Sequence, residues 1–309
     1  MSIEGTANKI SSMEIRGAGL IARTAASALM DYAKSVEAKN PGSFIDEMKH
    51  AAAILTKTRP TAVSLPNAVR YVMSALNPNL SVEENKERIV KKADEFIIAS
   101  NNALEKISEY GARHISDGDV IMTHCNSQVA LGCIIEAHRQ GKDIEVFATE
   151  VRPRNQGLLT IRQLNDAGIK TNFIVDSAAR TFIKETDLVI VGSDAVAVNG
   201  AVVNKIGTSQ VAISAHEARV NVCVAAETYK FAPRTISGDR INIEERPANE
   251  VLSNEIAGTM PNVTIRNPAF DVTPAEYIDL IITEIGAIPP QMAYTIIREH
   301  LGWEIGEFS

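Results

Sequence analysis

The pattern of apolar and polar positions changes character part-way along the chain. Over 10–38, Ala, Leu and Met recur at spacings that keep one face of a helix apolar, and Lys39-Asn40-Pro41-Gly42 ends the run with loop chemistry. A short amphipathic helix is expected over 44–55 and a loop at Lys57-Thr58-Arg59-Pro60. Helices over 67–75 and 82–110 follow, the second laced with Lys and Glu at helical intervals. No strand pattern precedes Asp119. Beyond it, apolar β-branched runs at 120–123, 144–149, 171–175, 188–191 and 220–225 read as buried strands. Helical stretches at 127–140, 158–167, 177–183 and 209–218 separate them. This alternation predicts βαβ units, and so an α/β fold with a mostly parallel sheet and right-handed crossovers. Past Pro268 the spacing predicts helices around 275–285 and 291–299. Tyr110-Gly111 and Asp117-Gly118 interrupt the pattern, which divides the chain into a helical domain over 1–114 and a sheet domain over 115–309.

Composition narrows the function classes. The 309 residues carry a net charge of −7, which argues against a general nucleic-acid or membrane surface but leaves room for a phosphate site built from a few cations. No apolar run approaches the roughly 18 residues of a membrane span, and Met1-Ser2-Ile3-Glu4-Gly5 lacks the pattern of a signal peptide. The three cysteines do not form a disulfide framework, and a reducing cytoplasm is the expected setting. Cys133 and Cys223 lie in apolar runs and read as small core residues.

Cys125 is different. It sits in Thr123-His124-Cys125-Asn126-Ser127, between an expected strand and helix, and Gly192-Ser193-Asp194 occupies the equivalent junction after another strand. In an open α/β sheet, ligands bind outside the carboxyl ends of the strands. A thiol and a carboxylate on one rim suit acid–base work on a small anionic substrate. A helix start biases Cys125 towards thiolate, which is the expectation here; the competing reading is a buried turn cysteine. His124 reads as structural, because neighbours on an extended strand point to opposite faces. Asp194 has an ordinary alternative as a turn or capping residue. Candidate anion-binding groups are Arg16-Gly17-Ala18-Gly19, Arg59, Arg152 and Lys205. The sequence has no phosphate-binding Gly-Lys loop, no His-Glu-x-x-His helix and no Cys-x-x-Cys pair, so neither metal, flavin nor nicotinamide is expected.

Six ordered strings give the chain a resemblance. They are Arg16-Gly17-Ala18-Gly19, Arg59-Pro60-Thr61-Ala62-Val63-Ser64-Leu65, Thr123-His124-Cys125-Asn126-Ser127, Glu150-Val151-Arg152-Pro153 with Gln156-Gly157, Gly192-Ser193-Asp194, and Asn204-Lys205-Ile206-Gly207-Thr208. Over nearly its whole length the chain resembles the ribose-1,5-bisphosphate isomerases. Their superfamily also holds methylthioribose-1-phosphate isomerases and regulatory subunits of a translation initiation factor. Val151 departs from the Ser or Thr usual between the Glu and the Arg.

The resemblance implies a helical N-terminal domain, a Rossmann-like C-terminal domain and a cleft between them. It also implies a homo-oligomer built from dimers, often a hexamer (a trimer of dimers), with AMP as allosteric activator and no cofactor. The implied reaction converts α-ribose 1,5-bisphosphate to ribulose 1,5-bisphosphate in nucleotide salvage. Cys125 and Asp194 would take the catalytic positions. Arg16, Gly17, Ala18, Gly19, Arg59, Ser127, Arg152, Gln156, Asn204 and Lys205 fall in the substrate-binding strings. On this reading the Cys125 thiolate moves the carbon-bound proton and Asp194 exchanges with oxygen, the reverse assignment staying open. A methylthioribose-1-phosphate isomerase is the nearest alternative. Gly19, Ser64 and Asn67, where that branch typically has Pro, Asn and Trp, favour the bisphosphate. A non-catalytic subunit that senses sugar phosphates or nucleotides is the other, and such relatives usually lack the Cys–Asp pair.

Overall fold

The computed structural model describes residues 2–12, 14–15, 17–59, 62–237 and 241–300, and the chain forms two compact units, Met1–Ala103 and Leu104–Ser309. The first is helical: α1 (Ile3–Ser11), α2 (Ala18–Ser35), α3 (Pro41–Lys57), α4 (Ser64–Met73) and the leading part of α5 (Val82–Ala112). Where the apolar pattern predicts one helix over 10–38, the chain breaks between α1 and α2, and Gly17 caps α2 at a φ of 91° that a side chain would resist. Asn40 accepts from the Ser43 N–H in a capping box, with Pro41 at the first helical position, so the predicted loop chemistry becomes the start of α3. Along α5, Ile89, Ala93, Phe96, Ala103 and Ile107 are buried at the helical repeat. The division between the units falls within this helix.

The second unit begins with β1 (Val120–Thr123), α6 (Gln128–Arg139), β2 (Glu145–Thr149), α7 (Gly157–Asp166) and β3 (Lys170–Ile174). A short α8 (Ala179–Phe182) leads to β4 (Leu188–Gly192), β5 (Ala195–Val196), β6 (Val202–Lys205), α9 (Thr208–Ala218) and β7 (Asn221–Ala225). The helical turn α10 (Asn254–Ala257) precedes β8 (Phe270–Thr273), β9 (Leu280–Thr283) and β10 (Gly286–Ile288). The main sheet has seven strands in the order β10-β9-β7-β4-β1-β2-β3, parallel throughout except for β10. This is the mostly parallel α/β arrangement expected, with a core that includes Met122, Phe147, Val189, Val191, Val222 and Ile281.

The structure overturns one helix and adds one hairpin. Residues expected as a helix at 275–285 instead form β9, which pairs in parallel with β7, and Gly286 then turns the chain back into β10. Leu280-Ile281-Ile282-Thr283 completes the sheet, and that long-range pairing outweighs a local spacing that fits either element. Between β4 and α9 the chain forms the hairpin β5–β6, which joins β8 in a second, three-stranded antiparallel sheet. The helix expected at 291–299 is present as α11 (Ala293–Thr295), continued by a helical turn over Ile296–His300.

Candidate active site

The two strands that flank the centre of the sheet decide where the chemistry sits. From β1 the chain winds outward through β2 to β3; from β4 it winds the other way through β7 to β9. The gap beyond the carboxyl ends of β1 and β4 is therefore the topological switch point, where open α/β sheets bind ligands. Cys125 follows β1 and Asp194 follows β4.

Small residues let these ends meet. A Cβ on Gly192 would lie 2.3 Å from Ser127 Oγ, so a glycine at the end of β4 admits the turn that carries Cys125. Ser127 itself caps α6, its Oγ accepting from the Ala130 N–H. A Cβ on Gly157 would lie 2.0 Å from Thr149 O. Glycine there seats the first turn of α7 on the end of β2, which brings Gln156 to Cys125: the thiol donates to Gln156 Oε1 at 3.9 Å. The Asp194 N–H donates to Val203 O, starting the β5–β6 hairpin whose far end carries Asn204 and Lys205.

His124 ties three of these turns together. Its ring is 2% exposed, with Nε2 2.8 Å from Ile206 O and Nδ1 2.6 Å from Thr149 Oγ1. A carbonyl can only accept, so Nε2 carries the hydrogen and Nδ1 accepts from the Thr149 hydroxyl. Burial holds the imidazole below its ordinary pKa, which keeps it neutral. Gly207, at a φ of 102°, faces the ring closely: a Cβ there would meet Cε1 at 2.9 Å. With both nitrogens engaged, His124 has the structural part that its strand position predicts. Asp176 clamps the neighbouring turn, its carboxylate accepting from the Val151 and Arg152 N–H groups, both at 2.8 Å. Val151 is buried there at a φ of 62°, an uncommon conformation for a β-branched residue. Asp271 does the same for α9, accepting from the Gly207 N–H and from the backbone and hydroxyl of Ser209.

The surroundings of Cys125 work against the expected thiolate. Burial pushes the Cys125 thiol up to about 11; Lys205 and Arg246 pull it down and Asp194 pushes it further up. Cys125 also stands before the helix rather than in its first turn, at a φ of 71°, with Ser127 as the cap. Lys205 is 8% exposed, its ammonium held below the ordinary lysine range by burial and drawn up by Cys125 and Asp194. Its Nζ lies 4.9 Å from the centre of the Phe270 ring. Cys125, Asp194, Lys205 and Arg246 thus form one electrostatically coupled group.

The remaining candidates divide by unit. Arg152, Gln156 and Lys205 line one pocket of the second unit. Asn204 is buried and donates to Thr208 Oγ1, holding the turn rather than lining that pocket. Gly17, Ala18, Gly19 and Arg59 belong to the first unit, and Arg16 lies outside the described residues, as do Pro60 and Thr61. Ser64, the polar choice that favours the bisphosphate, is buried and donates to Ala18 O at 3.2 Å, joining the starts of α4 and α2. Among the described residues no group of three or more His, Cys, Asp and Glu side chains could hold a metal ion, and no helix is long and apolar enough to cross a membrane.

Comparison with known proteins gives this arrangement a family. The model of the initiation factor 2 subunit family, IF-2B, matches residues 14–290. The chain belongs to that family. Ribose 1,5-bisphosphate isomerase of Methanocaldococcus jannaschii is 55% identical over 302 residues, 97% of this chain and 96% of the relative. The protein of the same name from Archaeoglobus fulgidus is 55% identical over 297 residues, 96% of this chain and 93% of the relative. Among solved structures, translation initiation factor eIF-2B of Pyrococcus horikoshii OT3 superposes with a TM-score of 0.80 at 32% identity, covering 93% of this chain and 97% of that one.

Within this IF-2B fold, sequence reasoning missed Arg154, Arg246 and Asn267, which line the same pocket as Lys205. The repeated Arg-Pro of Arg152-Pro153 and Arg246-Pro247 was the one available signal for Arg246.

Proposed function

We propose that this chain is an aldose–ketose isomerase that converts α-ribose 1,5-bisphosphate to ribulose 1,5-bisphosphate. The observation that carries the reading is the emergence of Cys125 and Asp194 from β1 and β4, either side of the switch point, beside the buried cation Lys205. Kinship supports the choice of sugar, since relatives at 55% identity over nearly the full length bear the name of that isomerase.

Proton bookkeeping assigns the roles. Opening the ring of a sugar 1-phosphate needs a proton on the ring oxygen; the C2 hydrogen then leaves to form an enediol-type phosphate. Ketone formation at C2 returns a proton to C1 and releases the one on the C2 oxygen. One group therefore shuttles between oxygens and starts protonated, while the other shuttles between carbons and starts without its proton. Burial pushes the Cys125 thiol up, which suits the oxygen shuttle and leaves the C2-to-C1 transfer to Asp194. This is the reverse of the order that a thiolate would favour. We extend the reading by kinship to a place in nucleotide salvage, to activation by AMP and to assembly from dimers.

The test pairs two variants with the parent. Cys125→Ser and Asp194→Asn should each lower kcat by roughly 10²–10⁴-fold with secondary structure unchanged, the range for lost acid–base groups. Either variant keeping more than about a tenth of parental turnover would remove that residue from the chemistry.

A further inference from the structure

The pocket beside Cys125 collects charge of one sign. Arg152, Arg154, Lys205 and Arg246 line it, with Glu250 as the one carboxylate among the residues lining it. Glu250 is already engaged, pairing with Arg154 and accepting from Asn267 Nδ2 at 3.4 Å. Arg154 thus has its counter-ion on the wall.

Arg246 pairs with Glu244, which is not among the residues lining the pocket, and is also held through its backbone. It lies on the segment between β7 and β8, where residues 244–246 are tied to residues 266–269 on the approach to β8. The Arg246 N–H donates to Asn267 O, the Ala269 N–H donates to Glu244 O, and Glu245 accepts from the Asn267 N–H and from Arg266. These bonds fix the backbone that carries the guanidinium. The side chain is 9% exposed, its Nε 3.5 Å from Glu244 Oε1, and its charge is felt by both Cys125 and Lys205. Two cations, each about nine-tenths removed from water, therefore face one pocket and repel each other. A dianion between them would turn that repulsion into two charge-assisted bonds, and Arg presents the planar fork that grips phosphate oxygens in pairs. Gln156 and Lys205 belong both to the pocket and to the surroundings of the thiol. An anion held there lies next to the reacting carbon.

We propose that Arg246 is a phosphate ligand of the substrate site, gripping with Lys205 the phosphate carried by the carbon that reacts beside Cys125. The choice of sugar phosphate rests on the isomerase reading; the anion site itself does not. A phosphate bound here also counters Arg246 and Lys205, the two cations that draw the Cys125 thiol downward, and so keeps the thiol protonated for its first step.

The experiment is calorimetric titration of the parent, Arg246→Gln and Arg246→Lys with inorganic phosphate and with ribulose 1,5-bisphosphate, alongside KM and kcat for the bisphosphate aldose. For Arg246→Gln, binding of both ligands should weaken by roughly 10- to 100-fold, the range for a charge-assisted hydrogen bond, with KM rising more than kcat falls. Arg246→Lys, which keeps the charge and loses the fork, should recover part of that loss. Parental affinity and KM in Arg246→Gln would overturn the assignment while leaving an active parent as an isomerase. If Arg246→Gln fails to fold, Arg246→Lys decides, and parental affinity for both ligands in that variant overturns the assignment. A parent that makes no ketose, yet loses phosphate binding on Arg246→Gln, would retain the anion site and reject the isomerase reading.

Discussion

The meeting of β4 with the Cys125 turn can be measured through Gly192→Ala. A Cβ there would stand 2.3 Å from Ser127 Oγ and 2.5 Å from Ser127 Cβ, against the 3.5–4.0 Å of a normal carbon contact. Overpacking of this kind costs about 1–3 kcal/mol. Rotating the Ser127 hydroxyl aside to relieve it gives up the α6 cap, worth about 1 kcal/mol more. The single variant should therefore lose about 2–4 kcal/mol. Ser127→Gly alone should cost only a few tenths of a kcal/mol, since glycine is a tolerated cap. With the serine side chain gone, the nearest Ser127 atom to the new Cβ is Cα at 3.9 Å, an ordinary contact. The double variant should then be nearly as stable as Ser127→Gly, which gives a favourable coupling of about 2–4 kcal/mol. Equilibrium urea unfolding of the four proteins reads this from midpoints at constant slope. Additive losses, or a harmless Gly192→Ala, would refute the close approach of the two strand ends.

Two further outcomes follow from the site. Cys125 should alkylate slowly at neutral pH, because a thiol with a pKa of about 11 is only about one part in 10⁴ thiolate at pH 7, and its labelling rate should climb as pH approaches 11. Cys133 and Cys223, pushed up to about 12 by burial, should stay unlabelled in the folded protein; mass-spectrometric mapping that finds either ahead of Cys125 contradicts the burial argument. The same protonation state fixes the pH profile. If Cys125 works from its thiol form, kcat should hold through the alkaline range and fall as pH nears 11 in the substrate complex. A rate rising tenfold per pH unit between 7 and 9 would make the thiolate the working form.

The sequence made the frame legible where local chemistry and final pairing agree. The strands β1, β2, β4 and β7 are continuous apolar runs because both faces of a parallel sheet are covered, and such runs announce themselves. The segment over 275–285 did not, because Ile278, Ile281, Ile282 and Ile285 satisfy a helical repeat as well as a strand; pairing with β7, far away in sequence, decides it. The β5–β6 hairpin was hidden by strands too short to leave a pattern. At the site, Cys125 and Asp194 could be found because they follow strands, which is a local property. The state of the thiol could not, because burial is set by groups brought together only by folding. Arg246 escaped for a related reason: it shares a pocket with Lys205 but lies on a charged irregular segment, and the bonds that tie Glu244 and Arg246 to Ala269 and Asn267 form only on folding.

The most direct measurement is to give the purified protein α-ribose 1,5-bisphosphate and, separately, methylthioribose 1-phosphate, and to follow both by carbon and phosphorus NMR. The account predicts a ketose C2 resonance and a new phosphate signal from the bisphosphate, formed faster than any ketose from the methylthio sugar and lost in Cys125→Ser and Asp194→Asn. No ketose from the bisphosphate, or faster conversion of the methylthio sugar, would contradict it.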